Sequence, residues 1–290
     1  MADLIAELRH QPGSAFRARL EEQLMRRAMS MTETKPYQRP GLRSLTPYLI
    51  SKGSARLIEF LKEAFGAEEI LRVPAPEGTI MHAELRIGDS KIELSDGNPE
   101  HFPTPSCLHL YVPDARAVHE RAAGAGAMSA REPVEQRYGD LEAGIQDPSG
   151  NWWFVATHRL EPGRYLPSGL RDVTPYLMPA DGEAFLAFVK NALGAEEVEV
   201  HRGEERIVHA KVRLGDSILE FSQGHGEWQP TPCALHFYVP DADAVYAKAI
   251  AAGATSIFPP SDQPYGDRSG GVNDPQGHRW YISTWLGQKT

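Results

Sequence analysis

LTPYLI at residues 45–50 and VTPYLM at residues 173–178 open two stretches of chain with nearly the same sequence. FGAEE at 65–69 returns as LGAEE at 193–197, and LHLYVPDA at 108–115 returns as LHFYVPDA at 235–242. Each copy is too long to be one supersecondary element, so the pattern indicates a duplicated domain rather than a solenoid. We predict domains over residues 45–158 and 173–286, a linker over 159–172 and an N-terminal extension over 1–41.

The N-terminal extension contains a candidate amphipathic helix. Ser14 can cap a helix through about Met29, in which Phe16, Leu20 and Leu24 recur every four residues. The favoured interpretation is that this helix packs on the repeats, and the alternative is a partner or dimer contact. The proline- and glycine-containing stretches 32–41 and 159–171 are typical of linkers.

Composition narrows the possible partners and the compartment. The formal net charge of −9 argues against a phosphate-binding surface, so we expect no nucleic acid partner. The first residues contain no continuous apolar stretch, so neither a signal peptide nor a membrane span is expected and the expected location is cytoplasmic. The two cysteines, Cys107 and Cys233, occupy neighbouring rather than equivalent columns of the repeats, which argues against a shared disulfide framework.

Each repeat divides into two halves with the order strand, helix, strand, strand, strand, which predicts an α+β fold. In the first half, apolar residues at helical spacing run from Ala55 to Phe65 and stop at Gly66. In the second half, Asp114 is a candidate N-cap. The Gly-Asp pairs at 88–89 and 215–216 and the Asp-Pro-x-Gly sequences at 147–150 and 274–277 are explained by turn chemistry.

Several of these motifs, in this order, resemble one known family. TPYL, FGAEE, MHAEL with IGDS, LYVPD and the run GDRSGGVNDPQGHRW at 266–280 are similar to the vicinal oxygen chelate superfamily, and within it to the PhnB-like branch of glyoxalase and bleomycin-resistance proteins. The resemblance implies paired βαβββ modules, two per repeat, whose curled sheets form a cup for a small molecule. It also implies a monomer with an intrachain pseudo-dimer, because single-repeat relatives pair their modules between chains.

The resemblance also implies where metal ligands would lie. The first-strand histidine positions of the family fall on Thr46, Thr174, Cys107 and Ala234, and the last-strand glutamate positions fall on Glu93, Glu220, Phe154 and Tyr281. Only Glu93 and Glu220 match. One carboxylate per repeat is too few for a catalytic divalent site, which uses about three protein ligands, so we expect no metal at the family positions.

Strand alternation predicts which side chains share the inner face of the cup. His109 and Tyr111 face opposite to Leu108 and Leu110, while His82 and Glu84 face opposite to Ala83 and Leu85. Across the hairpin at Gly88-Asp89, Glu84 opposes Glu93, which makes His82 and Glu93 diagonal neighbours. We therefore expect two inner-face sets, one in each repeat: His82, Glu93 and His109, and then His209, Glu220 and His236 with Tyr238.

Three kinds of chemistry fit these sets. The simplest is a hydrogen-bonded polar lining. Two imidazoles and a carboxylate are also the ligand types of an open site for a divalent metal (Zn, Fe, Mn or Ni), on His209, Glu220 and His236 or on His82, Glu93 and His109. General acid/base catalysis by Glu220 or Glu93 is a further alternative.

The two repeats differ in the loop that precedes their last strand. Arg268 and His278 are replaced in the first repeat by Leu141 and Asn151, so we expect the second repeat to carry the function. Arg268 is either an anion contact or a solvated residue that pairs with Asp267. The predicted ligand-binding residues are His209, Glu220, His236, Tyr238, Tyr281, Arg268, His82, Glu93, His109 and Tyr111.

The sequence therefore favours a protein that binds, and can sequester, a small, partly apolar molecule in a cup. One alternative is a metal-dependent lyase, isomerase or dioxygenase that uses a nonstandard His/Glu site. Another is a regulatory or interaction protein whose cups are degenerate and whose N-terminal helix makes the contact.

Overall fold

The computed structural model describes residues 35–98, 102–226 and 228–287. The predicted helix over residues 14–29 lies outside them. Within the described part of the chain, no helix is long and apolar enough to cross a membrane.

Within the described residues, four helices and sixteen strands follow the predicted order in both repeats. The helices are α1 (Ser54–Phe65), α2 (Ala115–Gly124), α3 (Gly182–Leu193) and α4 (Ala242–Ala251), and Pro76–Gly78 form a short 3₁₀ turn. The strands of the first repeat are β1 (Leu45–Ser51), β2 (Glu68–Pro74), β3 (Ile80–Ile87), β4 (Ser90–Asp96), β5 (Cys107–Tyr111), β6 (Met128–Glu135), β7 (Asp140–Gln146) and β8 (Trp152–His158). Those of the second are β9 (Val173–Leu177), β10 (Glu196–Arg202), β11 (Ile207–Leu214), β12 (Ser217–Phe221), β13 (Ala234–Tyr238), β14 (Thr255–Asp262), β15 (Asp267–Asn273) and β16 (Arg279–Trp285).

The helix ends follow from local sequence. The predicted stop of α1 is confirmed: Gly66 follows its last residue with a φ of 68°, a left-handed conformation that glycine adopts without steric cost. The predicted N-cap of α2 is confirmed as well, because the Asp114 side chain accepts a hydrogen bond from the amide of Ala117.

Each of the two eight-stranded sheets is shared between the repeats. The first has the order β14-β15-β16-β13-β1-β4-β3-β2, and the second has the order β10-β11-β12-β9-β5-β8-β7-β6. The first module of one repeat therefore completes its sheet with the second module of the other. The expectation that each repeat builds its own cup is wrong, whereas the expected pairing of modules between the two repeats of one chain is observed.

Two short antiparallel seams make this exchange. At the first seam β1 pairs with β13, placing Thr46 opposite His236, and at the second β5 pairs with β9, placing His109 opposite Thr174. A four-stranded module on its own would leave the backbone of β1 or β5 unpaired at an exposed edge. The seams remove both edges.

The hydrophobic cores, in contrast, remain mostly within the repeats. Leu57 and Leu61 of α1 pack in one cluster with Ala83 and Leu85 of β3 and with Trp153 of β8, all from the first repeat. Since these strand residues face away from His82 and Glu84, the predicted alternation of β3 is confirmed. Each repeat thus buries its own apolar surface while sharing its sheets.

The Gly-Asp hairpin turns fasten one sheet to the other. The amide of Asp89 donates to Asp172 Oδ2 at 2.8 Å, and the amide of Asp172 donates to Asp89 Oδ1 at 3.0 Å. Arg171 adds an ion pair to Asp89 at 3.1 Å. Asp216 repeats this arrangement with Arg43, at 3.1 Å, and with the amide of Ser44, at 2.8 Å. Turn chemistry was a sufficient explanation of these aspartates in the sequence. In the structure they also hold the two sheets together.

The segments that precede β1 and β9 are built alike. The carbonyl of Tyr37 accepts from the amide of Trp285 at 2.9 Å, and the carbonyl of Tyr165 accepts from the amide of His158 at 2.8 Å. Tyr37 thereby anchors its segment to β16, and Tyr165 anchors its segment to β8. The stretch predicted as a linker at 159–172 is in this respect a structural part of the fold.

We predict that the protein is a monomer in solution, because both seams are closed within one chain. Light scattering should give the mass of one chain at micromolar concentration. A dimer that separates only on unfolding would contradict this expectation.

We predict that Asp89→Ala lowers the free energy of unfolding by about 1–3 kcal/mol, because the amide of Asp172 and the guanidinium of Arg171 lose their acceptor. Urea denaturation measures the change. The control is Glu68→Ala, which removes an exposed ion pair with Arg86 and should cost less than about 1 kcal/mol. Equal losses in the two variants would show that the turn is not a fastening point.

Candidate functional site

The two concave sheet faces carry the predicted site residues in combinations that the sequence did not show. Cup A, on the first sheet, contains His82 and Glu93 from the first repeat with His236 and Tyr238 from the second. Cup B, on the second sheet, contains His209 and Glu220 from the second repeat with His109 and Tyr111 from the first. The predicted sets His82, Glu93, His109 and His209, Glu220, His236 are therefore wrong, because β5 and β13 each belong to the sheet of the other repeat.

A buried ion pair lies at the centre of cup A. His236 Nδ1 lies 2.8 Å from Glu93 Oε2, and His236 Nε2 lies 2.9 Å from the hydroxyl of Ser283. Burial disfavours both charges, but the mutual attraction outweighs it, so the pKa of Glu93 is lowered and the pKa of His236 is raised. The imidazolium therefore donates to an ionised carboxylate.

Aromatic side chains border this pair. The rings of Tyr48 and Tyr281 lie 5.4 Å apart, and Phe258 stacks on Tyr281 at 6.3 Å. The Tyr238 hydroxyl donates to Asp267 Oδ2 at 2.8 Å. Cup A thus combines a charged floor with partly apolar walls.

A second carboxylate of cup A was not among the predicted site residues. Glu84 lies opposite Glu93 in the sheet, as the predicted register requires, and is buried. Arg39 lies 2.7 Å from its Oε1 and Lys91 lies 3.1 Å from its Oε2. Although burial opposes ionisation, His82 and these two cations lower the pKa of Glu84 to about 2. Strand alternation gave its facing, but nothing in the sequence indicated that Arg39 would reach it.

His109 lies at the centre of cup B between two carboxylates. Its Nδ1 is 3.0 Å from Glu220 Oε2, and its Nε2 is 3.4 Å from Glu142 Oε2. Burial opposes protonation, but Glu220 and Glu142 raise the pKa of His109 to about 10, and the pKa of Glu220 is lowered. Glu142 was not predicted as a site residue, because its counterpart in the second repeat is Ser269.

Four aromatic rings form a cluster in cup B. Phe154 lies 5.1 Å from both Tyr176 and Trp228, and Trp152 lies 5.5 Å from Trp228. The guanidinium of Arg131 sits 5.4 Å from the centre of the Trp228 ring and pairs with Glu142. Such a cluster provides flat apolar surface and cation–π contacts beside the charged floor.

Tyr111 belongs to a hydrogen-bonded chain at the edge of cup B. Its hydroxyl donates to Asp140 Oδ2 at 2.9 Å, and His158 Nδ1 lies 2.6 Å from Asp140 Oδ1. In cup A the corresponding Tyr238–Asp267 pair has Trp285 in place of the histidine. The two cups therefore share one plan but differ in their titratable groups.

Arg268 and His278, the features that favoured the second repeat, do not line a cup. Arg268 forms an exposed fork with Asp243, and also pairs with Asp262, so the alternative of a solvated ion pair is correct in kind although its partner is not Asp267. His278 is buried on the helix side against Phe185, where burial lowers its pKa. The choice of the second repeat as the functional unit therefore loses its basis, since each cup uses both repeats.

The residues at the family's metal positions do not suit a metal. Thr46, Glu93, Ala234 and Tyr281 fall in cup A, and Thr174, Glu220, Cys107 and Phe154 fall in cup B. Each set provides one carboxylate, and that carboxylate is already paired with a histidine. The alanine and the phenylalanine provide no donor atom.

The two cysteines meet in the interior beside cup B. The amide of Cys107 lies 3.3 Å from Cys233 Sγ, and both side chains are buried. They form no disulfide with each other. Burial raises the pKa of Cys233 to about 12 and raises that of Cys107 well above its ordinary value, so both remain neutral thiols at neutral pH.

A surface groove of about 410 Å³ lies outside the inner face of either cup, between α3, α4 and Tyr37. Lys190 and Lys248 stand at it beside the apolar residues Leu193, Phe237 and Val245. The groove contains no buried acid–histidine pair, so we place the chemistry in the cups.

The fold and the two cups define a glyoxalase-like protein with two tandem domains. The model of the Glyoxalase/Bleomycin resistance protein/Dioxygenase superfamily matches residues 47–155 and 173–282, and the chain belongs to this family. The resemblance seen in the sequence is confirmed at this level, as is the α+β fold of βαβββ modules; the PhnB-like branch stays a prediction.

Comparison with known proteins supports the same assignment. An uncharacterized protein of Mycobacterium bovis is 35% identical over 121 residues, which is 38% of this chain and 80% of that protein. Among solved structures, glyoxalase I from Zea mays has a TM-score of 0.60 at 16% identity, over 83% of this chain and 92% of that one. A putative dioxygenase from Bacillus subtilis has a TM-score of 0.54 at 13% identity, over 84% and 85%. Likeness at this identity shows the fold alone.

We predict that His109→Gln lowers the free energy of unfolding by about 3–5 kcal/mol near pH 6, because it leaves the buried carboxylate of Glu220 without its hydrogen-bonded cation. The folded-state pKa of His109, about 10, lies above the ordinary value of 6.5. The stabilisation by its charge is therefore complete below pH 6.5 and is lost as the pH rises through 10.

Urea denaturation of both proteins at pH 6, 8 and 10 measures this dependence, and the difference between them should shrink as the pH rises. The control is His201→Gln, which alters an exposed histidine and should change stability by less than about 0.5 kcal/mol. A difference that stays constant from pH 6 to pH 10 would show that His109 is not charged in the folded protein.

Proposed function

We propose that the protein binds a small, partly apolar molecule in its cups, and that cup B is the principal binding site. The observation that carries this proposal is a pair of donors in cup B. His109 Nε2 and Arg131 Nε are both buried, and neither has a hydrogen-bond partner within the described residues. The contact of His109 Nε2 with Glu142 at 3.4 Å lacks hydrogen-bond geometry.

Two buried donors without acceptors are costly, at about 1–3 kcal/mol each. Buried polar groups in folded proteins nearly always have a partner, and an unpaired one calls for a specific explanation. A ligand that places an acceptor oxygen or nitrogen between His109 and Arg131 would satisfy both donors. The chemistry therefore favours a molecule with a carbonyl, carboxylate or phenol-type oxygen.

The walls of cup B suit the apolar part of such a molecule. Trp152, Phe154, Tyr176 and Trp228 contact one another through ring edges and tilted faces, and Trp152 and Trp228 remain partly exposed. A planar apolar group can stack on these rings and bury area that is now in contact with water.

The state of the carboxylates favours binding over general base catalysis. Glu220 and Glu93, the two predicted candidates, are each held in an ion pair with a histidine, which keeps the pKa of both below the ordinary value. A base works best when its pKa is close to the working pH, so these two groups are poorly suited to proton abstraction at neutral pH. Sequestration or binding is the activity that fits them.

A metal-dependent lyase, isomerase or dioxygenase is the second candidate function. The observation that favours it is a group in cup A, His82, Glu84 and Glu93, whose potential ligand atoms all lie within 4.8 Å of one another. A regulatory role for the N-terminal helix falls on residues outside the described part of the chain. A cytoplasmic location stays a proposal, and so does the lack of a nucleic acid partner, which the net charge of −9 supports.

We predict that small aromatic aldehydes, ketones or carboxylates raise the melting temperature of the protein, and that Trp228→Ala abolishes the rise. A thermal-shift screen of such compounds measures it. Trp228 is only partly buried, so its removal should leave the fold intact by circular dichroism.

The matched control for this screen is Phe102→Ala, which removes an exposed ring that contacts Arg279 beside cup A. It should leave the shift unchanged. If no compound in the screen stabilises the protein, or if Trp228→Ala responds like the parent, binding in cup B is refuted.

A further inference from the structure

Arg279 is a buried arginine on the inner face of cup A. It is the first residue of β16, and it is 4% exposed. Trp280 and Ile282 of the same strand pack in a hydrophobic core. Strand alternation therefore places Arg279 on the opposite face, together with Tyr281. Within the described residues, no carboxylate pairs with its guanidinium.

The contacts of Arg279 are to neutral groups. Its Nη1 donates to the carbonyl of Phe102 at 3.2 Å, and its Cζ lies 3.9 Å from the centre of the Phe102 ring. Burial raises the pKa of Tyr281, while the charge of Arg279 and a hydrogen bond from it act in the opposite direction. A guanidinium carries five N–H donors, which is more than one carbonyl and one hydroxyl can satisfy.

A buried charge without a counter-charge is costly. Removing an ion from water costs several kcal/mol even after the protein relaxes, and neutral dipoles offset only part of this cost. Arginine cannot escape it by losing its proton, because the guanidinium stays charged in proteins. An anion that binds beside Arg279 would supply the missing counter-charge.

The other charges of cup A pair with one another. Each acid on this face lies beside a cation: Glu84 beside Arg39 and Lys91, and Glu93 and Asp267 beside His236. The acids of the cup are therefore already neutralised by other groups. Among its described residues, Arg279 is left without an acidic partner.

Cup B shows the same type of side chain with a counter-charge from the protein. Arg131 on β6 pairs there with Glu142 on β7. At the equivalent positions, cup A has Phe258 for Arg131, Ser269 for Glu142, and Arg279 for Trp152. Each cup thus has an arginine on its inner face, but in cup A a serine stands at the position of the carboxylate.

We propose, on the basis of the proposed function that the cups hold small molecules, that Arg279 anchors a second binding site, in cup A, for the carboxylate of a small aliphatic acid. A carboxylate and a phosphate can both accept two parallel hydrogen bonds from a guanidinium. Charge decides between them. The ionised carboxylates of Glu84 and Glu93 share this face, and their repulsion of a ligand grows in proportion to its negative charge. A monoanion is therefore favoured over a phosphate dianion.

The aromatic walls of cup A suit a short alkyl chain. Tyr281 lies next to Arg279 on the inner face, and its ring is 5.4 Å from that of Tyr48 and 6.3 Å from that of Phe258. Because these rings pack on one another, they form an apolar wall rather than a gap for a further flat ring. A few methylene groups can lie against this wall while the carboxylate meets the guanidinium.

The test uses the full chain and butyrate, with butyramide as the neutral ligand of similar shape, in a buffer without other carboxylates. Isothermal titration should show binding of butyrate and not of butyramide. Arg279→Gln should weaken butyrate binding by about 10-fold or more, because charge-assisted hydrogen bonds are lost. The matched control is Arg268→Gln, which makes the same charge change at an exposed residue outside the cups and should leave binding unchanged.

Urea denaturation without butyrate separates a binding role of Arg279 from a structural one. Arg279→Gln should be at least as stable as the parent, because it removes a buried charge that has no counter-charge and keeps an N–H donor for the carbonyl of Phe102. Added butyrate should stabilise the parent and not the variant. A large loss of stability in the ligand-free variant would show that Arg279 only anchors the Phe102 segment, and would overturn the proposal.

Three binding results would also overturn it: no binding of butyrate by the parent, unchanged binding in Arg279→Gln, or an equal loss in Arg268→Gln. A loss in Arg131→Gln with binding retained in Arg279→Gln would place the carboxylate in cup B instead. Because the aromatic screen depends on Trp228 in cup B and butyrate binding depends on Arg279 in cup A, the two proposals can fail independently.

Discussion

The antiparallel pairing of β1 with β13 and of β5 with β9 is the constraint on which the rest of the structure depends. Each seam is only a few residues long, yet it decides which histidine faces which glutamate. Through it, Glu93 meets His236 and Glu220 meets His109, each from the opposite repeat. The charged floor of both cups is a product of this pairing, because a repeat by itself would leave a buried carboxylate without its counter-charge.

The exchange of modules separates the formation of the hydrophobic cores from the formation of the cups. The apolar cores form mainly within a repeat, between the helices and the backs of the strands, whereas the cups form between repeats. The turns at Asp89 and Asp216 hold the two sheets together, because they bind the segments that precede β9 and β1. A change at one of these turns can in this way alter the geometry of the floor.

Duplication has left the cups free to diverge. Both keep the histidine–glutamate pair and the tyrosine–aspartate pair, but cup A acquires Glu84 with Arg39, and cup B acquires Glu142 with Arg131. In cup A, Glu84 lies in the first module of the first repeat and Arg39 lies in the segment before it. In cup B, Glu142 and Arg131 both lie in the second module of the first repeat. Cup A thereby gains a compact group of one histidine and two glutamates, and cup B gains buried N–H donors that have no hydrogen-bond partner among the described residues. The two sites are expected to bind different things.

The sequence by itself determined the duplication, the order of elements, the caps at Gly66 and Asp114 and the facing of residues such as His82, Glu84 and His109. These are local properties, because helix and strand periodicity depend on neighbours within a few residues. The position of Glu84 opposite Glu93 also follows from one hairpin. Only the tertiary structure decided that His109 belongs with Glu220, that Arg39 reaches Glu84 and that Arg268 lies outside the cups. The reason is physical: two similar repeats present similar strand edges, so the sequence pattern permits pairing within or between repeats. The choice is made by long-range contacts along the whole seam and at the aspartate turns.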